Sequence, residues 1–91
     1  MVGRPKKERP QPAPLTDDRA DQLRQEAIGK RLCELRERKN WSHRDLALLA
    51  RVSPNTIASI ERGDCDPRVS TMKRIADALA CSAAYLTFGN G

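Results

Sequence analysis

The chain has 91 residues, room for one small domain that buries only about two thirds of the surface its unfolded form exposes. Its 17 basic residues against 12 acidic ones give a net charge of +5, which suits a polyanionic partner without singling one out. A lone His43, three scattered cysteines (Cys33, Cys65, Cys81) and no glycine-rich phosphate loop supply neither a nucleophile–base set nor metal-ligand spacing, so no catalysis, metal or cofactor is expected. No apolar run reaches the length of a membrane span, and prolines follow the basic N-terminus where a signal peptide needs an apolar segment. The expectation is therefore a cytoplasmic protein with reduced thiols and no membrane contact.

Residues 1–16 hold four of the six prolines and four basic residues, Arg4, Lys6, Lys7 and Arg9, against Glu8 alone. That composition cannot support burial and reads as a disordered basic tail. Its GRPKK segment, Gly3 to Lys7, resembles an AT-hook core, in which an extended Arg-Pro lies in a narrow minor groove. The other reading is a solubilising tail that meets phosphates non-specifically. Residues 17–91 form the expected domain. Its first helix is expected from Asp17 to Asn40, with Asp17, Asp18 and Asp21 at the positive end of the macrodipole and Arg36, Arg38 and Lys39 at the negative end. Ala20, Leu23, Ala27, Ile28, Leu32 and Leu35 make its apolar stripe.

Ser42 and Asp45 have capping-box spacing for a second helix over residues 43–50, with Trp41 placed to staple against Leu46. Only Arg51, Val52 and Ser53 then intervene before a third helix, SPNTIASIERG, which has a cap in Ser53, a first-turn proline in Pro54 and a glycine stop in Gly63. Between those ends only Ile57 and Ile60 are clearly apolar, which leaves most of the helix surface for something other than its own core. A fourth helix carries Val69, Met72, Ile75, Ala76 and Leu79, and Ser82 caps a short fifth one holding Tyr85 and Leu86. Helical spacing throughout, with no strand alternation, predicts an all-α fold.

The small Ala47, Val52 in the turn, Ile57 and Ile60, and the ending IERG with a proline four residues later together resemble the helix-turn-helix domains of lambda-type phage repressors, the Cro/C1-type or XRE family. The likeness runs over about residues 26–90. It implies a five-helix lambda-repressor-like DNA-binding domain whose motif is helix 42–50, a turn and recognition helix 53–62, lying in the major groove of double-stranded DNA. The base-contact candidates are Asn55, able to hold adenine bidentately, Ser59, and Pro54 and Ala58, which touch thymine methyls. Ser42, His43, Arg44 and Arg62 are the phosphate candidates, His43 standing where the family usually has Gln. The resemblance also implies an ion pair between Arg36 and Glu61 and a homodimer formed through Tyr85 and Phe88, although both rings also suit a role in covering the core.

Arg51 and Ala80 stand where the family favours glycine, and Asp64 and Asp66 fall in a loop where relatives often carry Lys or Arg. A small autoregulatory repressor on a pseudo-palindromic operator is the function implied. The alternative is an antitoxin-type protein that binds a partner protein as well as its own operator.

Overall fold

The computed structural model describes the backbone of residues 12–89 and the side chains of residues 19–89. Five helices follow in order: α1 (Pro12–Arg38), α2 (His43–Ala50), α3 (Pro54–Arg62), α4 (Val69–Ala78) and α5 (Ala83–Phe88). Strands are absent among the described residues. α1 packs on α3 and α5, α2 on α3 and α4, and α4 on α5, so every helix lines one core. That core holds Ile28 and Leu32 of α1, Leu46, Ala47 and Ala50 of α2, Ile57 and Ile60 of α3, Met72, Ile75 and Ala76 of α4, then Leu79 and Leu86. Leu35, Trp41 and Val52 are half-buried against it.

Three expectations need correcting. α1 starts at Pro12, not Asp17: Pro12 and Pro14 lie in its first turn, where the backbone N–H groups have no helical partner and a missing donor costs nothing. The backbone of residues 17 and 18 consequently lies beyond the first turn, which holds no acidic residue. α1 also stops at Arg38, because Asn40 turns left-handed at φ 59° and the next N–H, that of Trp41, returns to the Arg36 carbonyl. Finally, Ala20 and Leu23 are exposed, so packing of α1 begins only near Ala27, and Val69 at the start of α4 is likewise in solvent.

The helix ends repeat one device. After α2, α3 and α4 the chain takes a left-handed residue, Arg51 (φ 61°), Gly63 (φ 76°) and Ala80 (φ 57°), and the N–H of the following residue returns to a carbonyl in the last turn: Val52 to Ala47, Asp64 to Ser59, Cys81 to Ala76. Arg51 and Ala80 adopt the conformation expected of the glycines they replace, at a cost of about 1 kcal/mol each. Ala80→Gly should therefore raise the melting temperature by about 4 to 8 °C for each 1 kcal/mol of strain released, less the entropy glycine adds to the unfolded chain. A calorimetric scan in which the melting temperature is lowered by the full entropic cost of the added glycine, about 0.4 to 1 kcal/mol, would mean that the left-handed turn is unstrained.

Where α1 crosses α3 the two backbones touch at Gly29. A Cβ built there would lie against the Ile60 carbonyl and 2.6 Å from that of Glu61. This approach sets the tilt of α3 relative to α1 and so the direction in which its outer face looks.

Candidate nucleic-acid interface

α2 is fixed at its start by a complete capping box: the Asp45 N–H donates to Ser42 Oγ at 3.1 Å, and the Ser42 N–H donates to Asp45 Oδ2 at 2.9 Å. α3 starts on a single side-chain cap, with the Thr56 N–H donating to Ser53 Oγ at 3.1 Å, and has Pro54 in the first turn and Gly63 beyond the last. Ala47 is fully buried, as the steep crossing of α2 and α3 requires of a small residue, and Val52 packs into the core from the turn. With Ile57 and Ile60 turned inward, Pro54 and Asn55 are exposed at the N-terminal end of α3, and Ala58 and Ser59 are half-exposed one turn further on.

α3 is locked from behind by ionic contacts. Arg36 of α1 meets Glu61 with Nε to Oε2 at 2.6 Å and Nη2 to Oε1 at 3.1 Å, in side chains only 11% and 8% exposed. The third guanidinium nitrogen, Nη1, donates to the Trp41 carbonyl at 2.6 Å, so one arginine ties together α1, the α1–α2 turn and the far end of α3. His43 adds a contact from α2, its Nε2 lying 3.0 Å from Glu61 Oε1. Burial acts to raise the Glu61 carboxyl, but the hydrogen bonds and charges of Arg36 and His43 outweigh it and hold the group below its ordinary range.

Of the phosphate candidates, Ser42 and Arg44 are exposed at the start of α2. His43 is 44% exposed on its side chain, but its Nε2 is engaged by Glu61, so Nδ1 is the nitrogen available to a phosphate. Arg62 is also engaged: Nε donates to Asp64 Oδ2 at 2.7 Å and Nη2 to Ser59 Oγ at 3.3 Å. Arg4, Lys6, Lys7 and Arg9 lie outside the described residues. Tyr85 is half-buried, whereas Phe88 is 68% exposed.

A family model for Helix-turn-helix, HTH_3, matches residues 34–86, from the last turns of α1 through α5. This chain belongs to the lambda-repressor-like helix-turn-helix family. Solved structures agree with the assignment. The P22 c2 repressor, determined in complex with synthetic operator 9T, is 27% identical with a TM-score of 0.67, over 69% of this chain and 96% of that one. The clp gene regulator ClgR from Corynebacterium glutamicum is 32% identical with a TM-score of 0.64, over 68% and 66% of the two chains. An HTH_3 family transcriptional regulator from Vibrio cholerae is 28% identical with a TM-score of 0.70, over 77% of this chain and 39% of that one. No curated protein matches significantly. These relatives are transcriptional repressors and regulators.

Against the helix-turn-helix pattern, two features escape a reading of the sequence. Leu48 is 81% exposed on α2, in a shallow groove with Arg44, Val52 and Pro54, although an apolar residue next to Ala47 reads most simply as core. The acids in the loop after α3 are each paired, Asp64 with Arg62 and Asp66 with Arg24 of α1 at 3.1 Å. The cysteines are free and half-buried, and burial pushes all three thiols up, which disfavours the reactive thiolate. Among the described residues no group of His, Cys, Asp and Glu is placed to hold a metal ion, and no helix is long and apolar enough to cross a membrane.

Proposed function

We propose that this helix-turn-helix protein is a sequence-specific transcriptional regulator that binds double-stranded DNA as a two-fold dimer, with α3 in the major groove. The observation that carries this is the face of α3 itself. A helix rigidly capped at both ends and locked through Glu61 presents Pro54, Asn55, Ala58 and Ser59 outward in place of a second apolar face. Asn55, exposed in the first turn, has the donor and acceptor that match adenine N6 and N7 together, while Pro54 and Ala58 have only apolar surface for a thymine methyl. Ser42, Arg44 and the free N–H groups at the start of α2 serve the phosphates. His43 joins them in a charge-dependent way. If Nε2–H donates to Glu61, Nδ1 is an acceptor in the neutral ring and becomes a donor to phosphate only when the ring is protonated.

A dimer follows from the energetics of readout. Each bidentate base contact supplies about 1 to 3 kcal/mol, whereas selecting an operator in a genome takes roughly 4 to 10. Phe88 and the 72%-exposed Val69 frame an apolar groove of about 500 Å³ that also takes in Ile28, Met72 and Ala84, a surface suited to a second copy; Tyr85 stands half-buried on the same helix. Selection of bound duplexes from a random pool tests both parts. The expected product is a pseudo-palindrome with half-site centres about 10 to 10.5 base pairs apart, or a multiple, bound by two chains. Asn55→Ala should relax selection at one adenine in each half-site and lower operator affinity by roughly tenfold or more per half-site. Selection of a single unrepeated half-site by a monomer would sink the dimer.

A further inference from the structure

We propose that Asp64 is an intramolecular competitor for DNA phosphate: its carboxylate occupies Arg62, the cation at the end of α3, and so lowers attachment to DNA of any sequence while leaving the base contact of Asn55 untouched. The inference rests on the DNA-binding reading above and concerns how tightly that interface holds DNA of any sequence.

The geometry begins with Gly63. Its left-handed conformation turns the chain so that the Asp64 N–H donates to the Ser59 carbonyl, which brings the Asp64 side chain back beside the last turn of α3. There it accepts from Arg62 Nε at 2.7 Å, and Arg62 in turn reaches Ser59 Oγ through Nη2 at 3.3 Å. Arg62 is the one basic residue in the sequence PNTIASIER, so the helix assigned to the groove carries a single cation, and that cation is already matched. A guanidinium holds a carboxylate and a phosphate through the same planar donors, so the two anions exclude each other at those positions. The pair is well exposed, with side chains 61% and 56% accessible, and such pairs are weak enough for a phosphate to displace.

What Asp64 suppresses is the contribution that carries no sequence information. Phosphate attraction is common to every duplex, whereas Asn55 reads bases at the opposite end of α3. Asp66, which holds Arg24 of α1 at 3.1 Å, gives the same loop a second matched pair. That second pair lies at the groove of Val69 and Phe88, so at the end of α3 itself the charge removed is that of Arg62. Because this phosphate contribution is common to every duplex, Asp64 lowers operator and non-operator affinity by the same factor: it shortens residence on all DNA and leaves the ratio between sites to the base contacts.

The test is the full chain carrying Asp64→Asn, measured by fluorescence anisotropy on a labelled mixed-sequence duplex over a range of salt concentrations. Release of Arg62 to one phosphate should steepen the slope of log affinity against log salt by about 0.9 and tighten binding by about eightfold at 0.1 M salt. The tightening should require Arg62. In an Arg62→Met background, which keeps the apolar stem, Asp64→Asn should change affinity less than about twofold with no change in slope. Thermal melting of Asp64→Asn should stay close to that of the parent, since the pair is exposed. Weaker binding by Asp64→Asn would overturn the proposal by showing that the carboxylate props Arg62 towards DNA. Equal tightening with and without Arg62 would overturn it by reducing Asp64 to a plain negative charge. Failure of the parent and the variant alike to bind the duplex at low salt would instead remove the DNA-binding reading itself, and this inference with it.

Discussion

Glu61→Ala is expected to destabilise the fold by about 3 kcal/mol, a large part of the roughly 5 to 15 kcal/mol that holds a small domain together. The carboxylate stands 8% exposed between Arg36 and His43, and its removal leaves the 11%-exposed Arg36 guanidinium in place with Nε facing no acceptor and Nη2 only the weakly accepting Cys33 sulfur at 3.8 Å. Losing one member of a buried pair costs more than losing both, because the survivor keeps its desolvation penalty. Arg36→Met with Glu61→Leu should accordingly recover most of the loss. Urea unfolding of the parent, the single variant and the double variant measures all three terms; an unchanged midpoint for Glu61→Ala would refute the coupling. The same contact has a signature in acid. The folded-state pKa of Glu61 lies below its ordinary value of 4.5, so its contribution to stability is present above that value and is lost as pH falls through the lower, folded-state one. Glu61→Gln, which has no such proton to bind, should lose less stability than the parent over that acid interval.

The features legible in the sequence are those encoded within a few residues. Ser42 with Asp45, and Ser53 with Pro54 and Gly63, satisfy orphan backbone groups only at these spacings, and each does so in the structure. The Arg36–Glu61 contact is of another kind. Twenty-five positions separate the partners, and neither local periodicity nor composition links them; the expectation comes from likeness to lambda-type repressors. The start of α1 is hidden because prolines oppose helix everywhere except in a first turn, and the sequence does not announce which turn is first. Leu48 shows a different limit. In HRDLALLA every apolar residue competes for the core, and the crossing of α2 with α3 and α4 buries Leu46, Ala47 and Ala50 while Leu48 and Leu49 remain outside. Asp64, in sequence, is simply an acid where relatives often carry Lys or Arg. Its pairing with Arg62 depends on the left-handed turn at Gly63, a three-dimensional fact.

Gly29→Ala is the second large effect, and its sign runs against helix propensity. In an exposed helix interior, alanine is favoured over glycine by about 1 kcal/mol, so α1 taken alone should be stabilised by the exchange. Gly29, however, is buried where α1 meets the backbone of α3, and the added methyl would lie against the Ile60 carbonyl and 2.6 Å from the Glu61 carbonyl oxygen. Those atoms belong to the last turn of a capped helix and cannot rotate aside as a side chain would; α3 as a whole must shift. Overpacking of this kind costs about 1 to 3 kcal/mol or more, and moving α3 also lengthens the bonds between Arg36 and Glu61, which lie two turns further along the same face of α1. A net loss of about 2 kcal/mol in urea unfolding is expected once the propensity term is deducted. The same displacement re-aims Asn55 relative to Ser42 and Arg44 at the start of α2, so operator affinity should fall even at temperatures where the variant remains fully folded. Stability and operator affinity both equal to the parent's would show that α1 and α3 are not in backbone contact at Gly29, and that the tilt of the recognition helix is set elsewhere.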